Sequence, residues 1–243
     1  MNNNSQRYWG VIPASGVGKR MGSELPKQYL TLYDKPLLQH TIERMVDHPR
    51  ITGVVVAVAE HDDRWQAFEA RFGDEVTWVT GGAERYHSVL NALQVLNDIA
   101  ADNDWALVHD AARPCLRADD IDCLMDEASG DIGGILAAPV SDTMKRANAD
   151  GSIIETVNRE GLWRALTPQM FRIGLLIEAI EHAMTQDLPI TDEASAVESL
   201  GHRPKVVAGH LDNIKITIPQ DLELAQLYLQ QQRSAVAQSE NSQ

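Results

Sequence analysis

The run Gly53-Val-Val-Val-Ala-Val-Ala59 carries no polar side chain. Successive strand residues point to opposite sides, so an unbroken apolar strand needs cover on both faces, the condition of a central strand in a parallel sheet. This segment therefore demands a layer above and a layer below, and the rest of the chain can supply them. Tyr8–Pro13, about 75–79, Trp105–His109, Ile132–Val140, Lys205–Val207 and Ile214–Ile218 read as further strands. Helical periodicity fills the intervals: Pro36–His48, with Leu37, Leu38, Thr41, Ile42, Met45 and Val46 on one stripe, then about 62–72, 84–100, 118–129, 174–186, 192–200 and Pro219 to about Gln232. The alternation predicts an α/β fold with a single doubly wound, mostly parallel, Rossmann-like sheet.

Ser141–Gly161 interrupts that alternation. It is polar, holds the turn signal Asn148-Ala-Asp-Gly151, and continues into β-branched residues, which predicts a protruding β-arm. A single domain over residues 8–232, arm included, suits a chain of 243 residues with 44% hydrophobic content. Residues 1–7 and 233–243 lack apolar periodicity and are expected to be flexible ends. The polar N-terminal residues, and the lack of any stretch of about 18–20 apolar residues, lead us to expect a soluble, cytoplasmic protein. Cys115 and Cys123 have neither a second pair nor a matching histidine spacing, so two buried or semi-buried thiols are expected in place of a disulfide or zinc site. A formal charge of −14 opposes nucleic-acid and anionic-membrane surfaces, so an anionic ligand must meet a local basic cluster.

Such a cluster follows the first strand directly. Pro13-Ala-Ser-Gly-Val-Gly-Lys-Arg-Met-Gly22 combines small residues, which let backbone N–H groups approach phosphate oxygens, with Lys19 and Arg20, and Lys27 lies just beyond. A loop leaving the carboxyl end of a strand is also where open α/β sheets bind ligands. The P-loop pattern fails, because Gly18-Lys19 is followed by Arg20 in place of Ser or Thr. The dinucleotide pattern is weak, because the first acid at the end of the second strand, Glu60, comes far too late. A cation-rich loop holding a triphosphate is the better reading, against the alternative of a surface turn with incidental Lys and Arg.

Several segments together resemble the 2-C-methyl-D-erythritol 4-phosphate cytidylyltransferases. They are the loop from Pro13 to Gly22 with Pro26-Lys-Gln-Tyr29, Gly81-Gly82 with Arg85 and Ser88, Val108-His-Asp-Ala-Ala-Arg-Pro114, Asp142-Thr-Met-Lys145, Leu166-Thr-Pro-Gln169, Thr191-Asp-Glu-Ala194 and Asp212-Asn-Ile-Lys215. The resemblance spans about residues 8–230, with Ser15 standing where the family often has alanine. It implies a nucleotidyltransferase fold and catalysis by Arg20, Lys27, Arg159 and Lys215. It further implies CTP binding through Ala14, Ser15, Gly16, Gly82, Arg85, Ser88, Asp110 and Ala111. The acceptor, 2-C-methyl-D-erythritol 4-phosphate, would be held by Arg113, Thr143, Arg159, Thr191 and Lys215. The implied cofactor is Mg²⁺, carried mainly by the CTP phosphates with Asp110 as an optional protein ligand. The implied assembly is a homodimer in which the 141–161 arm reaches a neighbouring active site.

The chemistry fits what the sequence lacks. A phosphate oxygen attacking the α-phosphorus needs no general base at neutral pH, because the second pKa of a phosphate monoester is about 6. No His–carboxylate or Ser–His–Asp constellation is evident, and Ser15 lacks a G-x-S-x-G setting. His109 is adjacent to Asp110 on a strand, where neighbours face opposite sides, so it reads as structural. Outside the resemblance, Arg159 and Lys215 would pass for solvated surface charges. The competing functions are a cytidylyltransferase for another polyol phosphate such as ribitol 5-phosphate, a NAD(P)-dependent oxidoreductase, and a catalytically silent nucleotide-binding module.

Overall fold

The computed structural model describes residues 6–16 and 25–240. In chain order its strands and helices are β1 (Tyr8–Pro13), β2 (Thr31–Leu32), β3 (Lys35–Pro36), α1 (Leu37–Val46), β4 (Ile51–Val58), α2 (Gln66–Phe72), β5 (Val76–Thr80), α3 (Arg85–Ile99), β6 (Trp105–Val108) and α4 (Ala118–Ala128). There follow β7 (Gly133–Pro139), β8 (Met144–Ala147), β9 (Ile153–Val157), β10 (Trp163–Arg172), α5 (Ile173–Thr185), α6 (Glu193–Ser199), β11 (Lys205–Ala208) and α7 (Gln220–Glu240).

Seven strands form one sheet in the order β11-β7-β10-β6-β1-β4-β5. The ladders β1/β4, β1/β6, β4/β5 and β11/β7 are parallel, while β10 runs antiparallel to both β6 and β7. The expected α/β, doubly wound, mostly parallel architecture is therefore present. Alternation along the central strands feeds two separate cores. In β1, Ile12 enters the core covered by α1, α2 and α4, whereas Val11 enters the core covered by α3, α5 and α6. In β4 the same division places Val54 and Val56 on the first face and Val55 on the second, which is why its buried stretch, Val54–Val58, carries no polar residue. A third cluster joins α7, through Ala225 and Leu229, to Ala112, Cys115 and Ile216.

Three sequence expectations are corrected. Ile214–Ile218 is not a strand: its one backbone bond to the neighbouring segment runs from Ile216 N to Ala112 O at 2.9 Å, and Ile216 is apolar because it fills the third cluster. Strand β10 was not foreseen, because Pro168 sits inside it and cannot donate to a ladder, and the register to β7 is indeed broken between Ala165 and Gln169. Cys123 is exposed; only Cys115 is buried, and burial with Asp212 nearby pushes its thiol up to about 12. At the ends, α7 continues to Glu240. Arg7 is tied down by Asp104, with its backbone N–H at 3.1 Å from Oδ1 and Nε at 2.9 Å from Oδ2.

Candidate active site

The order of the strands reverses direction at β1, with β4 on one side and β6 on the other. Ligands of open α/β sheets bind beyond the carboxyl ends at such a switch point. The segments leaving β1 and β6 there are Ala14-Ser-Gly16 and Asp110-Ala-Ala112, and they face a cleft of about 290 Å³. Ala14, Ser15, Gly16, Lys27, Arg85, Asp110, Ala111 and Lys215 all line it, so eight residues scattered over the sequence converge on one cleft. A smaller adjoining cleft of about 190 Å³ is lined by Arg113, Thr167, Gln169 and Thr191, and shares Arg85, Asp110 and Lys215 with the first.

The shared residues anchor a partly buried charge network. Asp110 receives Arg85 Nε at 3.0 Å on Oδ1 and Lys215 Nζ at 2.9 Å on Oδ2, with Arg113 Nε at 3.4 Å from Oδ2. Arg85 also grips Glu193 with both terminal nitrogens, at 2.6 and 3.2 Å. Three cations against two carboxylates leave one net positive charge between the clefts. Burial alone would raise the Asp110 pKa, but Arg85, Lys215 and Arg113 outweigh it and hold the carboxyl far below the usual range. For the fully buried Glu193 burial dominates, and its pKa lies above the ordinary carboxylate value even with Arg85 beside it.

Each member is fixed by its local structure. Lys215 has no strand around it, so the segment before it is pinned by side chains: Asp212 accepts from Arg117 at 2.7 Å and from Gln232 at 2.9 Å, and Asn213 Nδ2 donates to Thr167 O at 2.7 Å. Arg113 Nη1 closes on Asn213 O at 2.7 Å. Glu193 opens α6, whose start is held by reciprocal bonds between Asp192 and Ser195 and by Gln169, which accepts the Ala194 N–H at 2.9 Å. Lys27 Nζ lies 3.4 Å from Ile216 O.

His109 is part of this framework. Its Nε2 is 2.9 Å from Arg113 O and its Nδ1 is 2.9 Å from Thr167 Oγ1. Full burial pushes its pKa down to about 4, so at neutral pH it is an uncharged brace.

Other expected site residues fall elsewhere. Lys19 and Arg20 lie outside the described residues. Ser88 is fully buried behind the first cleft, where its hydroxyl accepts the Gly82 N–H at 3.1 Å. Thr143 and Arg159 line neither cleft; Thr143 immediately precedes β8, and Arg159 follows β9 and donates to Ser141 O within the arm. Sequence reading overlooked Gln28, which is buried, lines the first cleft and donates to Ala14 O at 2.8 Å, and it overlooked Glu193, Thr167 and Gln169. All four sat inside segments already singled out, but neutral side chains and a lone Glu carry no spacing signal of their own. Among the described residues no three His, Cys, Asp or Glu side chains are grouped to hold a metal, and no helix is long and apolar enough to cross a membrane.

Comparison with known proteins gives one answer. The family model described as 2-C-methyl-D-erythritol 4-phosphate cytidylyltransferase matches residues 9–231. A protein of that description from Vibrio vulnificus strain CMCP6 is 50% identical over 224 residues, covering 92% of this chain and 94% of its own. Among solved structures, a 4-diphosphocytidyl-2C-methyl-D-erythritol synthase superposes with a TM-score of 0.81 at 39% identity, over 92% of this chain and 98% of that one. The 2-C-methyl-D-erythritol 4-phosphate cytidylyltransferase of Francisella tularensis gives 0.80 at 34% identity, over 92% and 100%.

Proposed function

Since the chain belongs to the 2-C-methyl-D-erythritol 4-phosphate cytidylyltransferase family, we propose that it joins CTP to 2-C-methyl-D-erythritol 4-phosphate, releasing pyrophosphate and forming 4-diphosphocytidyl-2-C-methyl-D-erythritol for isoprenoid synthesis. The observation that carries this reading is the pair of adjoining clefts sharing Arg85, Asp110 and Lys215. One cleft suits the donor and the other the acceptor, and the shared charges stand where two anions must meet.

A phosphate oxygen of the acceptor attacks the α-phosphorus of CTP in line. The new phosphorus–oxygen bond forms as the bond to the β-phosphate breaks, and the pair of electrons leaves with pyrophosphate. The acceptor phosphate is already largely dianionic near neutral pH, so the reaction asks for positioning and charge neutralisation in place of a base. Lys27 and Lys215 supply positive charge facing the donor cleft, Arg113 and Thr191 line the acceptor side, and Arg20 completes the cation set.

Mg²⁺ is part of the proposal. A triphosphate brings most of its own oxygen ligands, and Mg²⁺ is commonly held by one or two carboxylates besides substrate phosphates. Asp110 is the carboxylate that fits, although both its oxygens are engaged by Arg85 and Lys215 and one would have to be released. When bound, the metal would neutralise charge on the departing pyrophosphate.

Pyrophosphate release should be seen with CTP and 2-C-methyl-D-erythritol 4-phosphate, with little from ATP, GTP or UTP, and should vanish without Mg²⁺. Faster turnover with ribitol 5-phosphate would move the acceptor to another polyol phosphate. NAD(P) binding without CTP binding would favour the oxidoreductase reading.

A cytoplasmic homodimer completes the proposal. Met144, Ile153, Ile154 and Trp163 are exposed on and beside the β8–β9 hairpin, and a second copy is the simplest cover for such a surface. The arm of one protomer would then bring Thr143 and Arg159 to the acceptor cleft of the other. Ile154→Asp is expected to shift the sedimenting mass to that of a monomer and to lower acceptor turnover at least about 10-fold. A monomer of undiminished activity contradicts the in-trans site.

A further inference from the structure

Ser15 and Ser88 stand 73 positions apart in sequence and meet hydroxyl to hydroxyl at 2.7 Å. Ser15 belongs to the loop leaving β1 and lines the donor cleft, whereas Ser88 lies in the first turn of α3 and is fully buried. The Ser88 oxygen also accepts the Gly82 N–H at 3.1 Å and lies 3.4 Å from Glu84 O. A hydroxyl has one proton and two lone pairs. With the Ser88 proton directed at Glu84 O and one lone pair on Gly82, the arrangement that satisfies every partner makes Ser15 the donor.

Nothing soft separates the two segments. Gly81 sits between them, and a Cβ there would fall 2.7 Å from Ser88 Oγ and 2.8 Å from Ser15 Cβ. Gly81 is itself anchored to the sheet through its N–H to Val58 O at 2.7 Å. Ala83 and Glu84, which come after Gly82, line the same cleft as Ser15. The hydroxyl pair thus joins two walls of one cleft at a fixed separation.

We propose that Ser15 is a positioning residue: its bond to Ser88 sets the spacing between the loop after β1 and the segment 82–88, and so holds in register a nucleoside triphosphate that reaches from one to the other. The proposal rests on the cytidylyltransfer reading in taking CTP as that ligand. A contact residue and a spacer make different demands. A contact residue weakens whichever fragment of the ligand it touches, while a spacer weakens only a ligand that spans both walls.

The experiment uses the full-length chain with Ser15→Ala, a change that removes one oxygen and adds no bulk. Calorimetry measures the affinities for CTP, for CMP and for inorganic tripolyphosphate, and steady-state kinetics give KM for CTP and kcat. A neutral hydrogen bond contributes a factor of about 2 to 10 in an equilibrium constant. The Kd for CTP is expected to rise about five-fold, with CMP and tripolyphosphate each changing less than two-fold, and with the kinetic loss falling more on KM for CTP than on kcat. In a Ser88→Ala background the Ser15→Ala change should add nothing, because the bond is already absent. Tripolyphosphate weakening as much as CTP would make Ser15 a phosphate contact and overturn the proposal, as would an unchanged affinity for CTP. Failure of the unsubstituted chain to bind CTP while it still binds tripolyphosphate would remove the donor reading itself, and the spacing role with it.

Discussion

Arg85→Met is expected to destabilise the folded chain by about 3–5 kcal/mol at pH 7, the cost of breaking a buried ion pair from one side. The two partners are unequal. Glu193 has 2% of its side chain exposed, against 30% for Arg85. Taking away the arginine strands a carboxylate that water cannot reach, whereas taking away the glutamate leaves an arginine that still holds Asp110 at 3.0 Å and is partly solvated. Glu193→Gln should therefore cost less, near the lower end of the same range. The sign of the pH dependence follows from the Glu193 carboxyl, whose pKa is already raised by burial in the native chain and would rise further without Arg85. A raised folded pKa means that the folded state binds more protons than the unfolded state above the unfolded pKa of about 4.3, so stability is lost as pH rises. The deficit of Arg85→Met relative to the unsubstituted chain should thus be larger at pH 7 than at pH 5 in urea unfolding. Arg85→Met/Glu193→Leu should regain much of the stability, since an apolar pair of similar volume needs no compensating charge. Equal deficits at both pH values, or a double variant no more stable than the single, would contradict this account of the pair.

The charge network marks the boundary of what sequence could reveal. The two-sided demand of Gly53–Ala59 was legible because burial of a strand leaves a compositional trace, and β4 indeed lies between two other sheet strands with Val55 on one face and Val54 and Val56 on the other. Ile214–Ile218 left the same trace for a different reason, packing under α7 without a ladder. Alternating apolar residues report burial, and burial does not name the partner. Strand β10 left the opposite trace, since Pro168 argues against a strand although its neighbours pair on both sides. At the site, the loop after β1 and the segment after β6 were readable from small residues and from their place at strand ends. The pairing of Arg85 with Glu193, 108 positions apart, was not, because no local pattern links the first turn of α3 to the first turn of α6. Arg159 and Thr143 came only through family resemblance, and within one chain they line neither of the two clefts.

Lys27→Ala is expected to lower kcat at least about 100-fold with both substrates saturating, the usual consequence of losing one preorganised donor to developing charge. Electrostatics of the whole chain explain why one cation can matter so much. With a formal charge of −14 the average field repels a triphosphate and an acceptor phosphate alike, so attraction must come from the few cations facing the cleft. Lys27 lines that cleft beside Lys215, and its ammonium is steadied by Ile216 O at 3.4 Å, on the same pinned segment that delivers Lys215. The two lysines are therefore set relative to each other before any substrate arrives, and the barrier is lowered without reorganisation at the moment of transfer. Charge on the α-phosphoryl oxygens grows as the attacking phosphate approaches, so the loss should fall on kcat and not only on KM for CTP. Lys205→Ala supplies the control: it changes the net charge equally, but Lys205 lies on β11 at the far edge of the sheet, paired with Glu127 at 3.1 Å. Equal losses from the two variants would mean that overall charge governs catalysis; near-normal turnover by Lys27→Ala would remove Lys27 from the transition state altogether. A loss confined to Lys27→Ala, deepening when the acceptor is a dianion and easing at a pH where it is a monoanion, would tie that ammonium to the meeting of the two phosphates.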